Sequence, residues 1–365
     1  MKTIVSIVLI FCTICFKAQK FPGSISIDNL KTPNSPAFVL LDEAPTNIES
    51  PQTMKALALS LVSSFNSSSG FPSNFAVDFT PYFITDTKKT FREYNGFNDK
   101  GEYNSFSSAY KNLSVSFAFV KKDSVQNMAI GFKTTLVKLI SSDQKRYFTK
   151  DLPEIYEKLE QHRQKNFDPI TLKNKSEKVY DSLVEKYNKA YSDYMDFKPV
   201  FIINIAGAYN HFFDNSMSSS GKFGRLGGWI TMNYNTQLVT NKEGVNKNNY
   251  LSLYGFGRVL RDEMTFDMES RAYIKDTYTD IGAKIDLQFD KLTIGYEYIR
   301  RSGNNSSNDY RSLGSIKYEI NTNISIIGGF GKNFQTDKDL VSFLGINWGL
   351  NFNNDFETDT PKSTK

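Results

Sequence analysis

Apolar and polar residues alternate along much of the chain, in segments separated by short polar or glycine-containing stretches. In residues 281–289 every second residue, from Ile281 to Phe289, is apolar, and those between are small or polar. Residues 344–352 repeat the pattern. Side chains on a β-strand point alternately to opposite faces, so the pattern predicts strands with one apolar and one polar face.

We predict about twelve such strands, and counts of ten to fourteen fit the pattern. Their lengths are close to that of a tilted membrane-spanning strand. They lie within 75–84, 112–119, 130–136, 201–208, 225–238, 250–260, 266–275, 279–289, 292–300, 310–320, 323–332 and 340–352. Short connections such as 290–291 alternate with longer ones such as 302–309, as in bacterial outer-membrane barrels. The predicted fold class is therefore all-β, an antiparallel transmembrane β-barrel over residues 75–352.

One insertion, residues 143–198, interrupts this barrel pattern. It is dense in charges of both signs, and Val179, Leu183 and Tyr187 recur every four residues. That spacing predicts a helical hairpin. The strand count places the hairpin on the cell-exterior side, with the longer connections. There it would be a lid, a vestibule wall, a docking surface for a protein partner or a solvated loop without a role.

The first 18 residues have the features of a secretory signal peptide: Lys2, an apolar run over 4–16 and the small residue Ala18. Cys12 and Cys15 both lie inside it, so we expect the mature chain to have no thiol for disulfides, nucleophilic catalysis or metal ligation. The formal charge of +5 falls to +3 when two lysines leave with the signal. So small an excess does not indicate nucleic acid as a partner.

Composition supports the membrane interpretation. Aromatic residues make up 14% of the chain, although its mean hydropathy is only −0.42. This combination is typical of a barrel with a wet lumen and aromatic girdles at the membrane surfaces. A soluble β-protein is the less favoured alternative, because its rows of outward Phe and Ile would expose an apolar belt to water.

Residues 19–74 form an N-terminal leader that does not alternate, and residues 353–365 form a polar C-terminal tail. The leader begins rich in proline and then predicts a short helix over 54–65. This helix has two interpretations, which the sequence leaves open. It either packs at the periplasmic rim or forms a small plug threaded into the lumen, since so apolar a helix needs cover.

Few residues point to chemistry. His162 lies at helical spacing in the charged insertion, where a solvated side chain is the ordinary outcome. His211 shares strand parity with apolar residues and belongs to the lipid-facing side. Barrel phospholipases place a serine two residues after their histidine, and here that position is Phe213. We therefore expect no catalytic residues, no cofactor and no metal site.

Charged residues on the predicted inner face are the candidates for lining the lumen. They carry both signs and would form either a closed network of ion pairs or a weakly selective pore. They are Asp78, Lys133, Arg258, Lys284, Asp286, Glu297, Lys317 and Glu319.

The stretch Ser35-Pro36-Ala37-Phe38, the predicted helix 54–65 and the strand at 75–84 resemble outer-membrane β-barrel proteins of Gram-negative bacteria that have no assigned function. The order of a short leader and then a barrel is similar to that of the long-chain fatty-acid outer-membrane transporters, whose leader forms a hatch inside the lumen. This resemblance implies a non-enzymatic channel or transporter for small molecules, apolar ones included, in contact with outer-membrane lipid. A docking protein that uses 143–198 and a lipid-hydrolysing barrel enzyme are the alternatives.

Overall fold

One eleven-stranded antiparallel sheet makes up most of the described protein, and helices are few. The computed structural model describes residues 36–41, 75–82, 93, 95–98, 100–122, 125–168, 173–174, 178–186, 197–214, 221–238, 249–267, 271–303, 309–320, 324–332, 334 and 340–348. The strands are β1 Phe75–Phe79, β2 Ser114–Lys122, β3 Val125–Leu139, β4 Phe167–Asp168, β5 Lys173–Asn174, β6 Phe201–Asp214, β7 Lys222–Gln237, β8 Tyr250–Asp267, β9 Ala272–Phe289, β10 Leu292–Gly303, β11 Asp309–Glu319, β12 Ile324–Lys332 and β13 Leu340–Trp348. The helices are α1 Pro36–Leu40, α2 Ser108–Lys111, α3 Ser142–Arg146, α4 Leu152–Asn166 and α5, residues 178–186.

Each strand of the large sheet pairs with the strand of that sheet that follows it in the chain. The strands β4 and β5, of two residues each, form a separate hairpin inside the insertion. β1 and β13 are the two ends of the strand order. The turn from β9 to β10 is the tightest described connection. Its Asp290 has a positive φ of 51°, and its backbone N–H donates to Asn249 Oδ1 at 2.9 Å. Simple up-and-down pairing therefore follows directly from the order of the strands in the sequence.

The two faces of the sheet differ as the alternation predicts. On one, which we call the apolar face, large hydrophobic side chains are exposed, Ile281 to 66% and Ile285 to 42%. On the other, the polar face, charged residues such as Asp280 and Glu297 are buried. Since neighbouring residues along a strand point in opposite directions, each strand carries both kinds of surface.

The structure corrects the predicted division of residues 250–289 into three strands. Only β8 and β9 are present there, so the described sheet has eleven strands, one fewer than twelve and within the predicted range of ten to fourteen. The register of β8 against β9 shifts between Asp262 and Thr265. Such a bulge changes which residues face each side of the sheet. In the sequence this break in the alternation resembles the end of a strand.

The corrected strand count also changes the end of the sheet to which the insertion is assigned. Two short connections, 290–291 and 320–323, lie at one end of the sheet, which we call the short-turn end. The opposite end, which we call the long-loop end, carries the connections after β6, β8, β10 and β12 and also the two-residue connection after β2. The longer connection 238–249, after β7, lies at the short-turn end. An even number of strands separates the insertion from the short turns, so the insertion leaves from the short-turn end. The prediction that the insertion shares an end with the connection 302–309 is wrong, because one strand too many was counted between them.

The insertion is helical over α3, a π-helical turn at Tyr147–Asp151, α4 and α5. Phe97, Ile140, Phe148 and Leu152 form a buried cluster at its base, with the rings of Phe97 and Phe148 stacked 4.4 Å apart. This cluster fixes the start of the insertion against the end of β3. None of the described helices has the length and apolar character needed to cross a bilayer.

The leader contributes α1 to the structure. This five-residue helix lies against the polar face and contacts β2, β3, β6 and β7. The predicted signal peptide 1–18, the predicted helix 54–65 and the tail 353–365 lie outside the described residues.

Candidate functional site

A groove of small residues on the polar face makes room for α1. The strand register places Ser116, Gly131, Ala208 and Gly227 directly opposite one another across β2, β3, β6 and β7. A Cβ on Gly131 would lie only 2.7 Å from the backbone nitrogen of Ala37. Since real Cβ atoms essentially never come so close, glycine at this position is what allows the helix to reach the sheet.

Both ends of α1 are tied to the sheet by hydrogen bonds. The backbone N–H of Ala37 donates to Ser116 Oγ at 3.2 Å, and Arg225 Nη1 donates to the carbonyl of Leu40 at 3.0 Å. The last carbonyls of a helix have no partner within it, so Arg225 satisfies one of them. Arg225 also pairs with Asp262 at 2.9 Å. The leader is thus linked to a charged pair of β7 and β8.

The side chain of Leu40 completes a buried apolar cluster. Its partners come from four neighbouring strands: Ala206, Ala208, Trp229 and Leu260 are buried, and Tyr278 packs against them. Leu40 itself is 2% exposed. Through Leu40, the leader therefore contributes an apolar side chain to the buried cluster on the polar face.

Next to this cluster, one carboxylate is shared by two arginines. The register sets Asp280 of β9 opposite Arg258 of β8 and Arg301 of β10. The Nε of each arginine lies 2.8 Å from an Asp280 oxygen. Asp280 is fully buried, and both guanidinium groups lie near the ring of Tyr278, at 5.6 and 4.2 Å from its centroid. The three charges leave an excess of one positive charge.

A second charged group lies nearer the short-turn end. Lys284 Nζ is 2.9 Å from Asp286, and Arg311 Nε is 3.2 Å from Glu297, with all four side chains no more than 10% exposed. Lys284 also stands opposite Glu297 in the register of β9 and β10. Gly295 leaves the space that Asp286 occupies, since a Cβ there would be 2.2 Å from Asp286 Oδ1. The four charges sum to zero.

All eight lumen candidates lie on the polar face. Arg258, Lys284, Asp286 and Glu297 belong to the two groups just described. Lys317 and Glu319 pair with each other at 2.8 Å and are about 40% exposed. Asp78 accepts a hydrogen bond from Ser114, whose register partner in β3 is Lys133. The mixed charges are thus arranged mostly as local pairs on this face.

Five residues of the network were not among the sequence candidates. Four of them stand at even spacing from a candidate on the same strand, and the fifth, Arg225, stands opposite one of those four, Asp262, so the same alternation could have found them. They are Arg225, Asp262, Asp280, Arg301 and Arg311.

The two histidines lie far apart, one on β6 and one in the insertion. His211 Nδ1 is 2.9 Å from the hydroxyl of Tyr209, and the ring of Phe213 lies 5.1 Å away. These side chains form an aromatic group on the apolar face. His162 lies on α4 in the insertion. Within the described ranges, no group of three or more His, Cys, Asp or Glu residues is arranged to hold a metal ion.

The base of the insertion holds a partly buried tyrosine, Tyr103. The hydroxyl of Tyr103 donates to the carbonyl of Lys138 at 2.5 Å, and its ring packs on Phe97. Burial raises the pKa of Tyr103 to about 12, because the charged phenolate loses its hydration there. The segment before β2 is thereby held to the end of β3.

No family model matches the chain, and neither a curated protein nor a solved structure is similar to it. We therefore infer the function from the two-faced sheet, the charged polar face and the docked leader.

Proposed function

We propose that the sheet closes into an outer-membrane β-barrel with the apolar face toward lipid and the polar face inside. Ten of its eleven strands have nine or more residues, enough for a tilted strand to cross a bilayer. Exposed apolar side chains on one face and buried ion pairs on the other fit a lipid exterior and a protein interior. Because eleven is odd, β1 and β13 run in the same direction, and direct closure between them makes one parallel pair.

Within this barrel the protein acts as a channel or transporter for small molecules, with the leader as its plug. The observation that carries this proposal is the seat of α1 on the polar face, held by Ser116 and Arg225 and by the burial of Leu40. A segment from before the first strand thus fills interior space. The apolar surroundings of Leu40 support apolar solutes among those that could replace it.

A docking role for the insertion is the second candidate. The ion pairs of the polar face occupy the interior without any solute, and the insertion is anchored at its base by a buried cluster. Much of α4 and α5 is exposed, as a docking surface requires. In this case the barrel is a closed scaffold, and the partner is a protein bound at the short-turn end.

Planar-bilayer conductance distinguishes these proposals. The full mature chain would be compared with a variant lacking residues 19–70 and with a control lacking residues 155–190 of the insertion. We expect little conductance from the full chain, steady conductance from the leader deletion and no gain from the control. If none of the three proteins conducts, although heat-modifiable migration shows that the barrels are folded, the channel would be refuted and the scaffold favoured. Failure to form a folded membrane-inserted species would refute the barrel itself.

A further inference from the structure

Positive charges on the apolar face gather at the long-loop end. Four strands each place one there: Arg261 on β8, Lys275 on β9, Arg300 on β10 and Lys332 on β12. The register confirms the face, since Arg300 stands opposite the exposed Ile281 and Tyr310. Toward the short-turn end, the same face of these strands instead presents apolar residues such as Phe289 and Ile294.

These cations are only partly neutralised. Glu263 accepts from Arg261 Nε at 2.9 Å and lies 3.3 Å from Lys275 Nζ. Lys332 Nζ lies 3.4 Å from Asp309. Four positive and two negative charges leave an excess of two. Arg261 and Lys275 remain 55% and 74% exposed, so their charged groups are available to a partner.

Aromatic rings accompany the cations. The guanidinium carbon of Arg261 lies 5.0 Å from the ring centroid of Phe223, and Lys332 Nζ lies 3.9 Å from that of Tyr310. Side chains that combine an apolar stem or ring with a polar tip are suited to the boundary between hydrocarbon and headgroups. The cations thus border the apolar face near the ends of their strands, where a lipid around the proposed barrel would present its phosphate.

We propose that this cationic rim, defined by Arg261, Lys275, Arg300 and Lys332, binds the phosphate groups of anionic lipids in the leaflet at the long-loop end. The inference rests on the proposed membrane barrel and adds the class of lipid that it selects. Basic residues beside an apolar surface attract anionic headgroups, while the apolar face below holds the acyl chains. The two-charge excess and the neighbouring apolar band supply both parts of that recognition.

The test measures which lipids stay with the protein. The full mature chain is placed in nanodiscs of phosphatidylcholine with a minority of phosphatidylglycerol, and the lipids retained on release are counted by native mass spectrometry. The rim variant carries Arg261→Gln, Lys275→Gln, Arg300→Gln and Lys332→Gln. A matched control neutralises four exposed lysines of the insertion, Lys150, Lys158, Lys178 and Lys186, to Gln.

We expect about fivefold enrichment of phosphatidylglycerol over the bulk ratio for the wild type and the control, and a nearly bulk ratio for the rim variant. Equal enrichment in wild type and rim variant, or none in the wild type, would overturn the rim proposal. Displacement of the lipid by soluble glycerophosphate would show a site for free phosphate instead. A chain that never enters the discs would refute the membrane barrel, a separate outcome.

Discussion

At the scale of single residues, Asp280 is the carboxylate on which the interior charges depend most. Asp280→Asn would remove the carboxylate charge that pairs with both Arg258 and Arg301. Breaking such a buried group by removing one partner costs about 3–5 kcal/mol. We expect a loss of this size in the free energy of unfolding, measured by urea denaturation of the refolded protein in detergent.

The control for this substitution is Glu154→Gln on α4. Glu154 pairs with Lys158 at 2.8 Å, but both side chains are more than half exposed. Water screens such a pair, so its loss should leave the unfolding curve unchanged. If Asp280→Asn behaved like this control, the arginines would have to be solvated, and the buried network would be refuted.

Tyr103 predicts a pH effect at the base of the insertion. Its pKa is raised from 10.0 to about 12 by burial. Below pH 10 the phenol is protonated in folded and unfolded chains, and its full contribution to stability is present. Between about pH 10 and 12 only the unfolded chain loses the proton, so stability falls as the pH rises.

The measurement is the ¹³Cζ resonance of Tyr103 in a pH titration, assigned by its absence in Tyr103→Phe. We expect its midpoint near 12 and a weaker alkaline loss of stability in the variant. A midpoint near 10 would contradict the burial of this ring and its bond to the Lys138 carbonyl.

At the scale of elements, the contact between α1 and the sheet depends on Gly131. In Gly131→Val, the new side chain would occupy the space of Pro36 and Ala37, so we expect α1 to leave the groove. The readout is a disulfide between Ala37→Cys and Ala129→Cys, residues of one buried cluster, in a background with Cys12 and Cys15 changed to Ala.

The matched control is Gly228→Val, because a Cβ at Gly228 meets nothing within 4 Å. Cross-linking should be efficient in the background and in this control, and largely lost in Gly131→Val. Unchanged cross-linking in Gly131→Val would mean that α1 does not occupy the groove.

The sequence predicted the strands because their alternation is a local property, visible in segments such as 281–289. It did not predict the junction of β8 and β9, since the bulge after Asp262 changes the alternation inside one strand. The sequence also did not predict the position of α1 on the sheet. That seat joins Leu40 to Arg225, 185 positions later, and depends on how distant strands align rather than on any local pattern.

At the scale of the whole molecule, whether the apolar face contacts lipid or water distinguishes a membrane protein from a soluble one. Ile285 is exposed on β9, well below the cationic rim. Ile285→Lys should cost about 2–4 kcal/mol when the barrel folds into vesicles, because a cation near the bilayer midplane loses its hydration. Ser302→Lys, an exposed position at the long-loop end, should cost about 1 kcal/mol or less. Equal, small effects at both positions would indicate that this face contacts water.

The direction of the strands makes a prediction about the two sides of the membrane. Because the insertion and the short turn at 290–291 share one end of the sheet, single cysteines at Lys158→Cys and Lys291→Cys must react from the same side. Ser302→Cys, at the long-loop end, must react from the opposite side.

A membrane-impermeant maleimide, added to intact and then to permeabilised cells, measures this reactivity in a background without Cys12 and Cys15. Taking the end that carries the turn at 290–291 as the periplasmic one, we expect Ser302→Cys to be labelled on intact cells and the other two only after permeabilisation. Labelling of Lys158→Cys together with Ser302→Cys would refute the eleven-strand topology. Labelling of the first two positions on intact cells, with Ser302→Cys protected, would keep the topology but invert the barrel, and would place the cationic rim in the periplasmic leaflet.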